Sequence, residues 1–247
     1  MEVHHHPKVE KKKFKEYFFE FLMIFLAVTL GFFAEGIREN ISDNKHAKLL
    51  TEQLVKDLKT DTFNLQRVID FDLSYKKTID TLFFELQKPV ATANTKYIQQ
   101  LIFNSYNIEL FNPATGAISA IEKELNIKQF SSSDLPTMIT NYQNKTFTSK
   151  QGEELLFRLI EQIVESFMYT HVSPKNAYSV FAKDSLVKDS MIRNLKQDDM
   201  AELSVKLEVI NTIISGRIKA LIGMKNDAKK MMQYVINRYN IKTKKEQ

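Results

Sequence analysis

Uncharged residues run unbroken from Phe21 to Ala34, and beyond them apolar residues recur at helical intervals. The wider segment from Tyr17 to Ile37 reads YFFEFLMIFLAVTLGFFAEGI. At 1.5 Å per residue it makes about 31 Å of helix, the thickness of a hydrocarbon core. Its uncharged heart is 14 residues long, short enough to suit a signal-peptide core or a buried helix of a soluble protein as well. No small-x-small cleavage pattern leads into a polar start, and the segment runs into Glu35, Arg38 and Glu39 in helical continuity. The pattern therefore predicts an uncleaved transmembrane anchor over 17–37.

From Asn44 to Gln87 the residues Leu50, Leu54, Leu58, Leu65, Ile69, Leu73, Leu82 and Leu86 recur mostly three or four apart. This predicts one long amphipathic helix ended by Lys88-Pro89, with continuity to the anchor left open. Thr95 is an N-cap for a helix over 96–106, and Asn112-Pro113 opens another over 114–125. Ser131 to Asp134 cap a helix over 135–145, and Thr148-Ser149 cap a separate one over 150–171. After Val172-Ser173-Pro174 a less regular stretch holds one short helix around 186–195. Asp198 then caps a last helix reaching Tyr239, with Leu203, Leu207, Ile210, Ile214, Ile218, Leu221, Met224, Met231 and Val235 at helical spacing. That stripe predicts pairing with the first long helix. The expected fold is all-α: a transmembrane helix followed by an extracytoplasmic helical bundle with two long helices as its spine. The expected divisions are a basic cytoplasmic tail (1–16), the anchor (17–37), the helical domain (38–241) and a frayed basic tail (242–247).

Composition sharpens this picture. Only 6 Gly and 5 Pro occur in 247 residues, which favours long helices over many turns. The absence of Cys removes disulfides, thiolate nucleophiles and thiolate metal sites together. The net charge of +5 would suit a polyanion, but it is scattered and locally balanced except at the ends, so no nucleic acid is expected, and the partner expected from the anchor is the lipid bilayer. Lys8, Lys11, Lys12, Lys13 and Lys15 crowd the near side of the anchor, whereas Arg38, Lys45 and Lys48 are spread along the far side. The excess of positive charge before the helix places the N-terminus in the cytoplasm and the domain in the periplasm, across the inner membrane.

Inside the anchor, Ala27 and Gly31 lie four apart, and Ala34 and Gly36 extend the small surface on which another helix can pack. Glu20 and Glu35 stand near the two interfaces, as headgroup-level anchors or helix contacts. His4, His5 and His6 are the candidates for metal ligation. Neighbouring residues on a helix point apart and one flexible chain needs further ligands, so a solvated or oligomer-contacting tail with no metal is the expectation. His46 and His171 are isolated, and no catalytic motif occurs. Asp57, Asp61, Asp70, Asp72 and Asp80 read as a solvated polar face. Neither a cofactor nor catalysis is expected.

The MEVHHH start, the KKKFKEYF stretch and EFLMIFLAVTLGFFAEGIREN together resemble a family of single-pass membrane proteins widespread in Bacteroidota. LVKDLKTDTFNL (54–65) and the segment 111–145 fit the same family, although Leu125-Asn126-Ile127 stand where relatives usually carry a loop Gly. The resemblance implies the single-pass topology and no particular chemistry. The functional expectation is an oligomeric interaction or scaffold protein, partnered by its own copies or another membrane protein. The alternative is a subunit of a transport- or channel-class complex with Glu20 and Glu35 facing its interior.

Overall fold

The structure, a computed structural model, describes residues 14–124, 128–172 and 192–242. It is all-α: among these residues the one β feature is an isolated bridge between Val172 and Ile192. The helices are α1 (Phe14–Leu86), α2 (Thr95–Asn104), α3 (Gly116–Lys123), α4 (Lys128–Ser131), α5 (Leu135–Ile160), α6 (Ser166–His171) and α7 (Gln197–Tyr239). A single π-helical turn, Glu161–Glu165, joins α5 to α6. The chain divides into two compact units, Met1–Leu49 and Leu50–Gln247, with α1 contributing to both. The apolar segment 17–37 and the first amphipathic stripe thus lie in one helix.

The second unit is built on three heptad stripes. On α1 the inward positions are Leu54, Leu58, Asp61, Leu65, Val68, Asp72, Tyr75, Ile79, Leu82 and Leu86, all buried and alternating four and three apart. On α7 they are Met200, Leu203, Leu207, Ile210, Ile214, Arg217, Leu221, Met224, Ala228, Met231 and Val235, alternating three and four. A 3.5-residue repeat keeps one seam facing the neighbouring helices, as in a coiled coil. The α5 stripe through Leu135, Ile139, Tyr142, Ser149, Glu153, Leu156 and Ile160 follows the same rule, then takes two consecutive steps of four to Val164 across the π turn. The extra residue of that turn absorbs the change of phase and keeps Phe167 and His171 inward.

Polar ties set the directions. Asp72 meets Arg217, and Asp80 meets Asn211 at 2.9 Å, so α1 and α7 run antiparallel. Lys145 pairs with Asp227 and Glu153 with Arg217, so α5 is also antiparallel to α7. The ends of α1 and α7, α2 and the π turn share one apolar core that includes Ile79, Leu82, Ile98, Val164, Leu207 and Ile214.

Several boundaries differ from the sequence reading for physical reasons. The break expected at 146–149 is absent, because the Thr146 and Thr148 hydroxyls donate to the carbonyls of Tyr142 and Asn144 at 3.0 Å instead of capping a new helix. The cap of α2 is Asn94, whose side chain accepts from Tyr97 N at 3.1 Å, one residue before Thr95. At the start of α7 the carboxylate of Asp199 accepts from Lys196 N at 2.8 Å, displacing Asp198 from the capping role. Leu73, counted in the apolar stripe, is half exposed because the heptad turns Asp72 inward beside it. Asn240 closes α7 in the left-handed conformation, a common helix stop for this residue. The expected turn at 125–127 and most of the short helix around 186–195 lie outside the described residues.

Candidate functional site

Asp57, Asp61 and Asp72 do not form the solvated face that composition suggests. Asp61 and Asp72 are wholly buried at heptad positions, and with Glu153 and Arg217 they form two polar layers in an otherwise apolar seam. In the first layer Asp61 accepts from the Tyr142 hydroxyl and from Ala114 N, both at 2.8 Å. One turn earlier on α1, Asp57 accepts from Ala117 N at 3.0 Å in the opening turn of α3. These carboxylates take backbone donors that helix geometry leaves open, which is why α3 begins at Gly116 rather than at Ala114.

The second layer is charged. The Arg217 guanidinium donates to Asp72 Oδ1 at 2.7 Å and to Glu153 Oε1 at 3.0 Å, and also to the Glu109 carbonyl. Glu153 Oε1 accepts a further hydrogen bond from Phe111 N at 3.2 Å. The irregular segment 106–115 is therefore strapped onto the bundle through Glu109, Phe111 and Ala114. The Glu109 carboxylate itself pairs with Arg67 at 2.9 Å. Asp72 Oδ2 and Arg217 Nε remain buried without a partner.

This layer holds two carboxylates against one guanidinium. Burial pushes Asp72 up from 3.8 to about 7, against the attraction of Arg217 and with help from the charges of Glu153 and Glu109. Burial also raises Asp61, opposed by its hydrogen bonds from Ala114 and Tyr142. Tyr75, which donates to the Ser105 carbonyl at 2.8 Å, is raised by burial and then by the Asp72 charge. Because the folded chain holds the Asp72 proton more tightly than the unfolded chain, this group's contribution to stability is complete below about 3.8. It is lost as pH rises through about 7. Lowering pH from 8 to 5.5 should therefore stabilise the second unit by about 2 kcal/mol, raising its melting temperature by roughly 4–8 °C. Circular-dichroism melts of the wild type and of Asp72→Asn check this, since the variant should lose most of the slope.

Two cavities flank the strap. One of about 770 Å³ is lined by Tyr106, Ile108, Leu110, Glu153, Phe157 and Arg158, among others. A smaller one, about 360 Å³, shares Leu110, Lys150 and Glu153 with it. Comparison with family models, curated proteins and solved structures finds no match. The site's meaning therefore rests on its geometry and on the anchor.

The residues singled out from the sequence are not brought into this cluster. Glu20, Ala27, Gly31, Ala34, Glu35 and Gly36 all lie exposed on α1. Within that helix an 18-residue window has a mean hydropathy of 2.0, and none of it is buried. It is the one described helix long and apolar enough to cross a membrane. Glu35 is held by Arg38, whose Nε donates to it at 3.0 Å. A Cβ added at Gly31 or Gly36 meets nothing within 4 Å. His171 packs on Phe167 with ring centroids 4.5 Å apart, and no group of three potential ligands is placed to hold a metal among the described residues. His4, His5 and His6 lie outside those residues.

Proposed function

We propose that this chain is an inner-membrane interaction or scaffold protein without catalysis of its own, in the manner of the Bacteroidota single-pass family it resembles. The anchor associates laterally and the helical domain stands in the periplasm. The observation that carries this reading is the apolar window of α1, none of which is buried, with Ala27 and Gly31 on one face of it. Small residues let two backbones approach closely, and close packing supplies association that lipid-facing Leu does not. Glu20 falls two turns before Ala27 and so on nearly the same face, where its carboxylate can bond a neighbouring helix. The pairing of Glu35 with Arg38 within one helix supports an interfacial anchor over a channel-lining acid.

Gly31→Leu is the direct test, because the added side chain meets nothing in the chain's own fold. Cross-linking in native membranes should show oligomers for the wild type, a shift to monomer for Gly31→Leu, and a smaller loss for Glu20→Gln, whose amide still hydrogen-bonds. Oligomers that persist in Gly31→Leu would show that association arises elsewhere. The orientation has its own readout: a reporter active only in the periplasm, fused after Gln247, should be active, and a cytoplasmic one silent.

A further inference from the structure

We infer that the 770 Å³ cleft between the 106–110 strap and α5 is a binding site for a small apolar zwitterion, an amino acid or short peptide whose ammonium group sits on Glu153. Its volume lies within the range of small-molecule sites. Glu153 is its deep acid: the side chain is 6% exposed, yet it lines the cavity. Both of its hydrogen bonds, from Phe111 N and Arg217, fall on Oε1. Oε2 meets no donor among the described residues.

A carboxylate oxygen held at the base of a cleft by a fixed neighbouring network is an acceptor ready for a donor that the protein does not supply. The surrounding charge selects the kind of donor. Asp72 and Glu153 face the single cation Arg217, so the layer carries one unmatched negative charge when both acids are ionised. An ammonium on Oε2 supplies the missing positive charge, whereas a second anion there would add to the excess. Above it, Ile108, Leu110 and Phe157 form apolar walls, and the last two are about half exposed. At the rim Lys150, Glu154 and Arg158 recur four apart on α5, and Arg158 Nε donates to the Glu154 carbonyl at 3.4 Å. Lys150 and Arg158 are placed for the ligand's carboxylate. A molecule with an ammonium at one end, a carboxylate at the other and an apolar side chain between them matches all three zones.

The site also predicts a pH response. The charged and titratable groups that line the cleft with Glu153 or join its network are Arg67 and Asp72 from α1, Tyr106 and Glu109 from the strap, Lys150, Glu154 and Arg158 from α5, and Arg217 from α7. A proton taken up by Asp72 cancels the same excess charge that an ammonium cancels. Proton and ligand therefore compete, and affinity should rise with pH up to about 7, above which the ligand's own ammonium begins to lose its proton.

Calorimetric titration of the full chain in detergent with the dipeptide leucyl-phenylalanine tests the assignment. Saturable one-to-one binding is expected at pH 7, at least tenfold weaker for the N-acetylated dipeptide, several-fold weaker for its C-terminal amide, and several-fold weaker at pH 5.5 than at pH 7. Glu153→Gln should abolish binding. Because that residue also holds the strap, Phe157→Ala supplies a second arm, in which binding should weaken at least tenfold with the melting temperature unchanged. Absence of heat, equal binding of the acetylated form, or full affinity in Phe157→Ala would overturn the proposal. So would tighter binding of Nα-acetyl-lysine amide, which would assign the acid to a protein side chain instead.

Discussion

Arg217→Met should destabilise the helical unit by roughly 3–5 kcal/mol, because it removes the cation from two carboxylates whose side chains are almost fully buried. The loss is expected as a lower urea midpoint, followed by circular dichroism on the full chain in detergent. The same layer rebuilt as Asp72→Leu, Glu153→Leu and Arg217→Met together should recover much of that stability, since no buried charge is then left unpaired and only Phe111 N and the Glu109 carbonyl lose their partners. The contrast between single and triple variants separates the cost of an orphaned ion from the net worth of the network. An Arg217→Met protein that unfolds at the wild-type midpoint would mean that the layer is wet and uncoupled from folding.

Ile214→Asp is the other severe change. Ile214 is fully buried on the α7 seam, within the core that also holds Ile79, Leu82 and Leu207. The substitution removes about 1.5–3 kcal/mol of apolar burial and adds the desolvation of an unpaired carboxylate, together a large share of a domain's stability. The variant should lack a cooperative melt and be cleaved rapidly by added protease. Val209→Asp, on the same helix but half exposed, should melt like the wild type. If Ile214→Asp also does so, the α7 stripe is a surface and not a seam.

The two long helices were legible because a three-and-four spacing of Leu and Ile survives any detail of packing. The polar layers were not, because a search for apolar periodicity passes over the charged residues that continue the period. Asp61 falls between Leu58 and Leu65, Asp72 between Val68 and Tyr75, and Arg217 between Ile214 and Leu221, each where the heptad calls for a core side chain. Asking which charge interrupts an otherwise regular seam would have found all three. The merged α5 shows a different failure: Thr148 and Ser149 carry capping chemistry, but one hydroxyl turns back on its own helix and the other residue is buried. The residues chosen from the apolar N-terminal segment could not point to the strap, since they lie exposed on α1 in the other compact unit.

The placement of the polar layers also guards against slippage. A heptad seam of Leu, Ile and Val is nearly the same after a slide of seven residues, so apolar packing alone distinguishes poorly between neighbouring alignments. Sliding α1 by one heptad would set Leu65 or Ile79 against Arg217, and Leu54 or Val68 against Tyr142. Either shift takes Asp72 from the guanidinium and Asp61 from the phenol and puts an apolar side chain in the place of each, so misaligned bundles are penalised at two points at once. The buried charges thus act as a proofreading device for assembly, rejecting the near-misses that a purely greasy interface would tolerate.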